Sequence, residues 1–334
     1  MSAASPAQGR LLEDFAARKP VALARVISSV ENRGAQSASL LAALHSATGR
    51  ARRIGITGPP GAGKSTLVMQ LVRAYRGLGL TVGVVAVDPT SVFTGGALLG
   101  DRIRMEAIAL DPGVYIRSLA TRGALGGLSA ATRDVADVLD AYGFDRILVE
   151  TVGVGQSELE VARTADTCVV VLVPESGDAI QTLKAGLMEI ADVFVVNKAD
   201  RPGADRLKTE LKVMLQVRSG PRAGSPWLPP VLTAIAADGT GIPDLLDALG
   251  RHHDYLVTAG VLAERRQARL RAKVAEIVDL KIRTRLWGDP GTDVWLETRL
   301  PALSAGETTP FDVADELLQR SAHLLAGEGH DSAR

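Results

Sequence analysis

The sequence predicts an α/β fold: a mostly parallel β-sheet flanked by helices. Three observations predict it. From residue 53 onward, short β-branched runs alternate with stretches of helical spacing. The runs are almost continuously apolar rather than alternating, as strands covered on both faces are. Apolar residues make up 46% of the chain but aromatic residues only 4%, a mix suited to close-packed helices on a sheet.

The elements follow in order. Residues 11–47 carry helical stripes: Leu12, Phe15 and Ala16, then Val21, Ala24 and Ile27, then Leu40, Leu41 and Leu44. They predict two or three helices packed on something larger. Strands are expected at 54–57, 82–87, 114–117, 146–150, 167–173, 193–197 and 231–233. Helices are expected between most of them, at 66–76, 103–110, 130–141, 179–190 and 204–216. A further helix, 242–258, closes the sheet domain, and the Pro-rich stretch 225–230 is a loop within it. Beyond Gly260 the chain becomes more charged, with helical spacing over 274–286 and a second helix from Pro310 to about 325. The expected organisation is a helical extension over 1–50, a sheet domain over 51–260 and a helical part over 261–334. With 334 residues the chain is long enough for this.

Charge and composition narrow the function. The formal net charge is zero, whereas a general nucleic-acid or membrane binder carries a basic excess to neutralise phosphate. Neither partner is expected. Cys168 is the single cysteine and reads as a buried strand residue, so no disulfide framework is expected. Residues 1–19 contain no apolar signal core, and no run approaches the ~20 apolar residues of a membrane helix. The expected location is the cytoplasm.

Two motifs carry the chemistry. Gly58-Pro59-Pro60-Gly61-Ala62-Gly63-Lys64-Ser65 satisfies G-x-x-x-x-G-K-[ST], with an expected strand before it and a helix opening at Thr66. Backbone N–H groups of such a loop and the helix N-terminus cradle phosphates. Lys64 would reach the β- and γ-phosphates, and the Ser65 hydroxyl would ligate Mg²⁺. The second motif, Asn197-Lys198-Ala199-Asp200, ends an expected strand, on the edge where open α/β sheets bind ligands. The Asp200 carboxylate can accept from guanine N1–H and from the exocyclic amine, a donor pair adenine lacks. Asn197 and Lys198 would pack on the ring and tie this loop to the phosphate loop. Ala236, just after the last strand, is placed for its backbone N–H to meet guanine O6, although Ile235 stands where Ser is usual. GTP and GDP are therefore the expected nucleotides.

Acidic residues at strand ends complete the site. Asp88 and Glu150 both end strands at the phosphate edge. Glu150 opens Glu150-Thr151-Val152-Gly153, where Gly153 N–H would meet the γ-phosphate and Glu150 would act on Mg²⁺ through water or position a catalytic water. Asp101 follows a Gly-rich loop and could join the metal shell. A plainer reading of each acid is a cap on the next loop or helix. Val154 follows Gly153 where many GTPases place a water-orienting glutamine; slow hydrolysis is expected, with Gln156 and Lys184 as the local candidates for a missing catalytic group.

The stretches Val87-Asp-Pro-Thr-Ser91, Thr94-Gly-Gly-Ala-Leu-Leu-Gly-Asp-Arg-Ile-Arg-Met105 and Glu150-Thr-Val-Gly-Val-Gly-Gln-Ser-Glu158, together with Asn197–Asp200, resemble the MeaB/ArgK/MMAA family of P-loop GTPases. So do Thr121-Arg-Gly-Ala-Leu-Gly-Gly-Leu128 and the loop 177–186. The resemblance covers roughly residues 20–330. It implies a P-loop GTPase domain and a G-protein chaperone that gates cofactor loading of an adenosylcobalamin-dependent acyl-CoA mutase of the methylmalonyl-CoA type, and protects or reactivates it. It implies a homodimer with 261–334 as the dimerisation arm, whose expected stripe is Leu270, Val274, Ile277, Val278, Ile282 and Leu286. Carried over, Lys64, Glu150 and Lys184 serve hydrolysis, and Ser65, Asp88, Asp101 and Glu150 serve Mg²⁺. The competing readings are an ArgK-like ATPase or kinase linked to transport, against which Asp200 argues, a metal-site maturation GTPase, for which Cys and His clusters are lacking, and a non-enzymatic interaction module.

Overall fold

The computed structural model describes residues 6–34, 36–88, 108, 110–120, 127–151, 157–174, 186–219, 227–322 and 324. Among them the strands are β1 (Arg52–Thr57), β2 (Val82–Asp88), β3 (Val114–Ala120), β4 (Arg146–Glu150), β5 (Thr167–Leu172), β6 (Val193–Val196) and β7 (Val231–Thr233). They form one sheet in the order β3-β2-β4-β1-β5-β6-β7, and every pairing is parallel. All seven expected strands are present, with ends shifted by a few residues. β3 runs three residues further than expected because Ser118, Leu119 and Ala120 pair with β2.

The longer helices are α1 (Pro6–Ala16), α2 (Pro20–Glu31), α3 (Ser37–Leu44), α4 (Lys64–Gly77), α5 (Gly127–Tyr142), α6 (Ser157–Thr164), α7 (Ala204–Ser219), α8 (Ile242–Thr258), α9 (Val261–Trp287), α10 (Pro290–Ser304) and α11 (Pro310–Arg320). Two of these, α6 and α10, have no counterpart in the sequence reading. Pro301 lies inside α10, and an interior proline ordinarily argues against a helix. The expected helices 103–110 and 179–190 fall largely outside the described residues.

The chain divides into two units, Met1–Ala263 and Glu264–Arg334. In the first, both faces of the sheet are covered. Leu67, Val68, Leu71 and Val72 of α4 and Leu245 and Leu249 of α8 pack with Ile56, Val84, Val169 and Val171. On the opposite face Leu23, Val26 and Ile27 of α2 and Val135 and Leu139 of α5 pack with Val85, Ile147 and Val149. The N-terminal helices thus share a core with the sheet. A third cluster seats Leu207, Leu211 and Leu215 of α7 against Val170, Phe194 and Val196.

Buried polar groups fasten the edge of the sheet where β1 begins. Asp140, 1% exposed in its side chain, accepts from the N–H groups of Gly49, Arg50 and Ala51. It also accepts from the Arg53 guanidinium at 2.9 Å, while Asp137 accepts from the same nitrogen at 2.7 Å. Burial pulls the Arg53 pKa down, but Asp137 and Asp140 outweigh that and leave it raised. This cluster fixes how the connection from α3 enters β1. No helix of the described residues is long and apolar enough to cross a membrane.

Candidate functional site

The phosphate-loop motif leaves β1 and enters α4. Both ends of the loop are set by close approach, one to backbone and the other to a side-chain amide. A Cβ on Gly58, whose φ is +139°, would lie 2.0 Å from the Val171 carbonyl oxygen. A Cβ on Gly63, at φ +84°, would lie 2.4 Å from Asn197 Nδ2. Only glycine fits either position. Gly63 is also the residue at which the chain turns into α4, so the helix N-terminus opens onto the loop. Pro60 and Gly61 at the crest are exposed, whereas Ala62 is buried.

Lys64 is 6% exposed. Its ammonium donates to Gly58 O at 2.8 Å and to Pro59 O at 3.0 Å, so it lies across the base of the loop. To reach a phosphate it exchanges these carbonyls for phosphate oxygens, a trade that favours the charged acceptor. The next residue, Ser65, donates from Oγ to Glu150 Oε1 at 2.6 Å. Glu150 is 4% exposed and pairs in register with Ile56 of β1 and Ala86 of β2. The parallel register therefore delivers this carboxylate to the loop. Thr151 reinforces the strand end, donating from N to Ile56 O and from Oγ1 to Thr57 Oγ1.

The sequence leaves Glu150 to reach a metal through water or to position a catalytic water, and does not foretell its direct bond to Ser65. A hydroxyl and a carboxylate at 2.6 Å form a hard oxygen donor pair. Mg²⁺ accepts one or two such protein ligands and completes its shell with water and nucleotide phosphates, so the donors present fit that ion. Asp88 ends β2, in register with Ala120 of β3, at the same edge. Asp101, Gly153 and Lys184 lie outside the described residues, as does the side chain of Asp88.

The second motif meets the first through Asn197. This side chain, 2% exposed, donates from Nδ2 to Ala62 O at 2.8 Å and accepts at Oδ1 from Ala236 N–H at 3.0 Å. One amide thus ties the phosphate loop to the loop after β7. Lys198 stands at φ +55°, a left-handed conformation costing about 1 kcal/mol for a residue with a side chain. It is held by neighbouring bonds: Asn197 N–H to Leu172 O at 2.8 Å, Ala199 N–H to Ala234 O at 3.0 Å and Arg201 N–H to Lys198 O at 3.0 Å. Such strain concentrates at functional sites. Asp200 is exposed. Ala236 differs from expectation: its N–H is already directed at Asn197 Oδ1, and the residue is 2% exposed. Its carbonyl accepts from Gln70 Nε2 of α4 at 3.0 Å. Sequence reasoning missed Gln70, which belongs to neither motif.

The pattern assembled here, a phosphate loop, a strand-end acid on its serine and an Asn-Lys-x-Asp corner, can now be compared with known proteins. Residues 23–291 match the family model described as methylmalonyl Co-A mutase-associated GTPase MeaB. The chain belongs to the MeaB family of GTPases. A Pyrococcus horikoshii protein to which GTPase activity is ascribed is 52% identical over 257 residues, covering 77% of this chain and 81% of the relative. The GTPase ArgK of Escherichia coli is 39% identical over 256 residues, covering 73% and 76%. The mouse mitochondrial methylmalonic aciduria type A homolog is 34% identical over 270 residues, covering 80% of this chain and 65% of the relative. Among solved structures, one described as a LAO/AO transport system kinase superposes with a TM-score of 0.69 at 28% identity, covering 94% of this chain and 97% of that one. The fold of that structure is thus matched along nearly the whole chain.

Buried His252 stands apart from this site. His252 is buried on α8, with Nδ1 2.9 Å from Thr167 Oγ1 and Nε2 3.2 Å from Asp192. Trp227 packs tilted against it, ring centroids 4.7 Å apart, and donates to Asp192 O. This cluster anchors α8 and the approach to β7 at the edge where β5 and β6 begin, away from the phosphate loop.

Proposed function

We propose that this protein binds GTP with Mg²⁺ and hydrolyses it slowly, using the cycle to gate cofactor loading of an adenosylcobalamin-dependent acyl-CoA mutase and to protect or reactivate that enzyme. The observation that carries the nucleotide part is the single buried amide of Asn197, which joins the phosphate loop to the base-reading corner. The family description supports a mutase of the methylmalonyl-CoA type as partner, and so does the name of the mouse relative.

In this reading the backbone N–H groups of residues 61–66 and the Lys64 ammonium hold the β- and γ-phosphates. Ser65 and Glu150 are the metal's protein-side donors, with Asp88 and Asp101 joining its shell in one nucleotide state. Mg²⁺, when bound, supplies charge neutralisation at the phosphate oxygens. Gly153 N–H meets the γ-phosphate. Asn197 and Lys198 flank the guanine ring and the Asp200 carboxylate accepts from its N1–H and amine. Lys184 is the cation that a docked mutase brings to the developing charge, which can contribute about 10³-fold. Residues 261–334 form the arm of a homodimer.

The experiment is single-turnover GTP hydrolysis with and without an adenosylcobalamin-dependent mutase, for the wild type and for Lys184→Ala. Slow basal turnover, acceleration by the mutase and loss of most of that acceleration in the variant are expected. Absence of any mutase effect on the wild type would refute the chaperone role, and equal acceleration of both proteins would remove Lys184 from it.

A further inference from the structure

The loop after β7 carries a feature that neither nucleotide motif accounts for. Ala236 is gripped on both sides by side-chain amides: its N–H by Asn197 Oδ1 and its carbonyl by Gln70 Nε2, both at 3.0 Å. These groups belong to two consecutive peptide planes. The Ala236 carbonyl and the Ala237 N–H lie in the same plane and, in a trans peptide, point in opposite directions. By holding that carbonyl from α4, Gln70 sets the direction of the Ala237 N–H. The other N–H groups of the loop are occupied. Ala234 donates to Val196 O, Ile235 to Thr240 O, Asp238 and Gly239 to Ile235 O, and Thr240 to Asp238 Oδ1. Among the described residues, Ala237 is the one position of 234–240 whose N–H has no such acceptor. It is also exposed.

We infer that Gln70 is a positioning residue for base selection, holding the 236–237 peptide so that Ala237, rather than Ala236, offers its N–H to the oxygen at purine position 6. The inference rests on the guanine-nucleotide reading above and deepens it. Division of labour follows. Asp200 reads the N1–H and 2-amino edge, while Gln70 acts through Ala237 on the opposite substituent. Because Gln70 stands on the helix that begins at the phosphate loop, six residues after Lys64, the helix that opens on the phosphates also sets the base pocket.

The test is equilibrium binding of four diphosphate or monophosphate ligands to the full chain and to Gln70→Met and Gln70→Glu. GDP against 6-thio-GDP reads position 6, because sulfur is the weaker acceptor. GDP against IDP reads the 2-amino group, and GDP against GMP reads the phosphate grip. The wild type is expected to prefer GDP over 6-thio-GDP by about tenfold, the worth of one good hydrogen bond. Gln70→Met keeps the side chain's length without its donor and is expected to shrink that preference to about twofold. Gln70→Glu, which turns an acceptor toward the Ala236 carbonyl, is expected to shrink it at least as far. The GDP/IDP and GDP/GMP ratios should stay at wild-type values in both. A wild type indifferent to 6-thio substitution would overturn the inference. So would variants that weaken GDP, 6-thio-GDP and IDP in equal measure, the mark of general loosening. Failure of the parent reading looks different: ADP would then bind the wild type as tightly as GDP.

Discussion

The two ends of this chain use apolar and polar residues in opposite ways. In the sheet unit the apolar side chains are sealed, with Ile56, Val84, Leu148, Val169 and Phe194 at 0% exposure. Three of the polar groups buried there, Lys64, Glu150 and Asn197, converge on the phosphate loop and bond it or its serine. On α9 the apolar residues face outward: Leu270 is 49% exposed, Val274 61%, Ile277 42%, Val278 46% and Ile282 41%. A unit whose core is closed while its site is held by shared hydrogen bonds is complete for binding a small ligand. A helix of 27 residues with apolar side chains in water gains little stability from propensity alone. The contrast is the one that the proposed division of labour requires, nucleotide chemistry in the first unit and association in the second.

The largest effect that would sharpen the comparison lies in the phosphate loop. Lys64→Ala removes the ammonium lying across that loop, and GTP affinity should fall by 100-fold or more, on the order of 3 kcal/mol for a desolvated charge contact. Titration of a fluorescent guanine nucleotide checks this; wild-type affinity in the variant would break the assignment. Next is the foundation of the sheet unit. Asp140→Ala strips the acceptor from three backbone N–H groups and leaves Arg53 with a partial counter-charge, and should cost about 3 kcal/mol of stability. Denaturant unfolding reads it, with nucleotide affinity of the folded fraction unchanged.

The outer face of α9 offers an effect of association rather than of chemistry. Ile277→Asp with Val278→Asp should convert a homodimer to a monomer in sedimentation while leaving GDP binding within about twofold. A wild type that sediments as a monomer at micromolar concentration would break the comparison at its weaker end. The smallest effect is acid stability. The hydrogen bond from Arg76 to Asp111 at 2.9 Å, then the Gly113 N–H, hold the Asp111 pKa below its usual value. A depressed carboxylate contributes stability that is present above its ordinary pKa of 3.8 and is lost as pH falls through the lower, folded value. Asp111→Asn should therefore flatten the stability curve slightly below about pH 4 and change nothing at pH 7 that depends on nucleotide.

Much of this was legible in the sequence. Apolar runs located all seven strands, because strands covered on both faces leave an unbroken signal. The two motifs located the corner, since each sits at a strand end that a parallel sheet must place on one edge. What stayed hidden depended on contacts between distant residues. Gln70 and Ala236 are 166 positions apart, and nothing local marks Gln70 as more than a helix residue. The Ser65–Glu150 bond needed the β1–β4 register. Leu286 was grouped with the outer stripe of α9, yet it is 6% exposed. Helix α10 was obscured by Pro301, and the pairing of His252 with Asp192 and Thr167 by the spacing of β5, β6 and α8.

The central claim is that the Asn197–Asp200 corner selects guanine nucleotides. Calorimetric binding of GDP, ADP and XDP to the wild type and to Asp200→Asn tests it most directly. Guanine presents N1–H and an amine to a carboxylate, whereas xanthine presents an oxygen where the amine was and suits an amide donor. The wild type should bind GDP tightly and ADP at least 100-fold more weakly, and Asp200→Asn should lose GDP affinity and move its preference toward XDP. A wild type that binds ADP as tightly as GDP, or a variant whose preference does not move, would contradict the account.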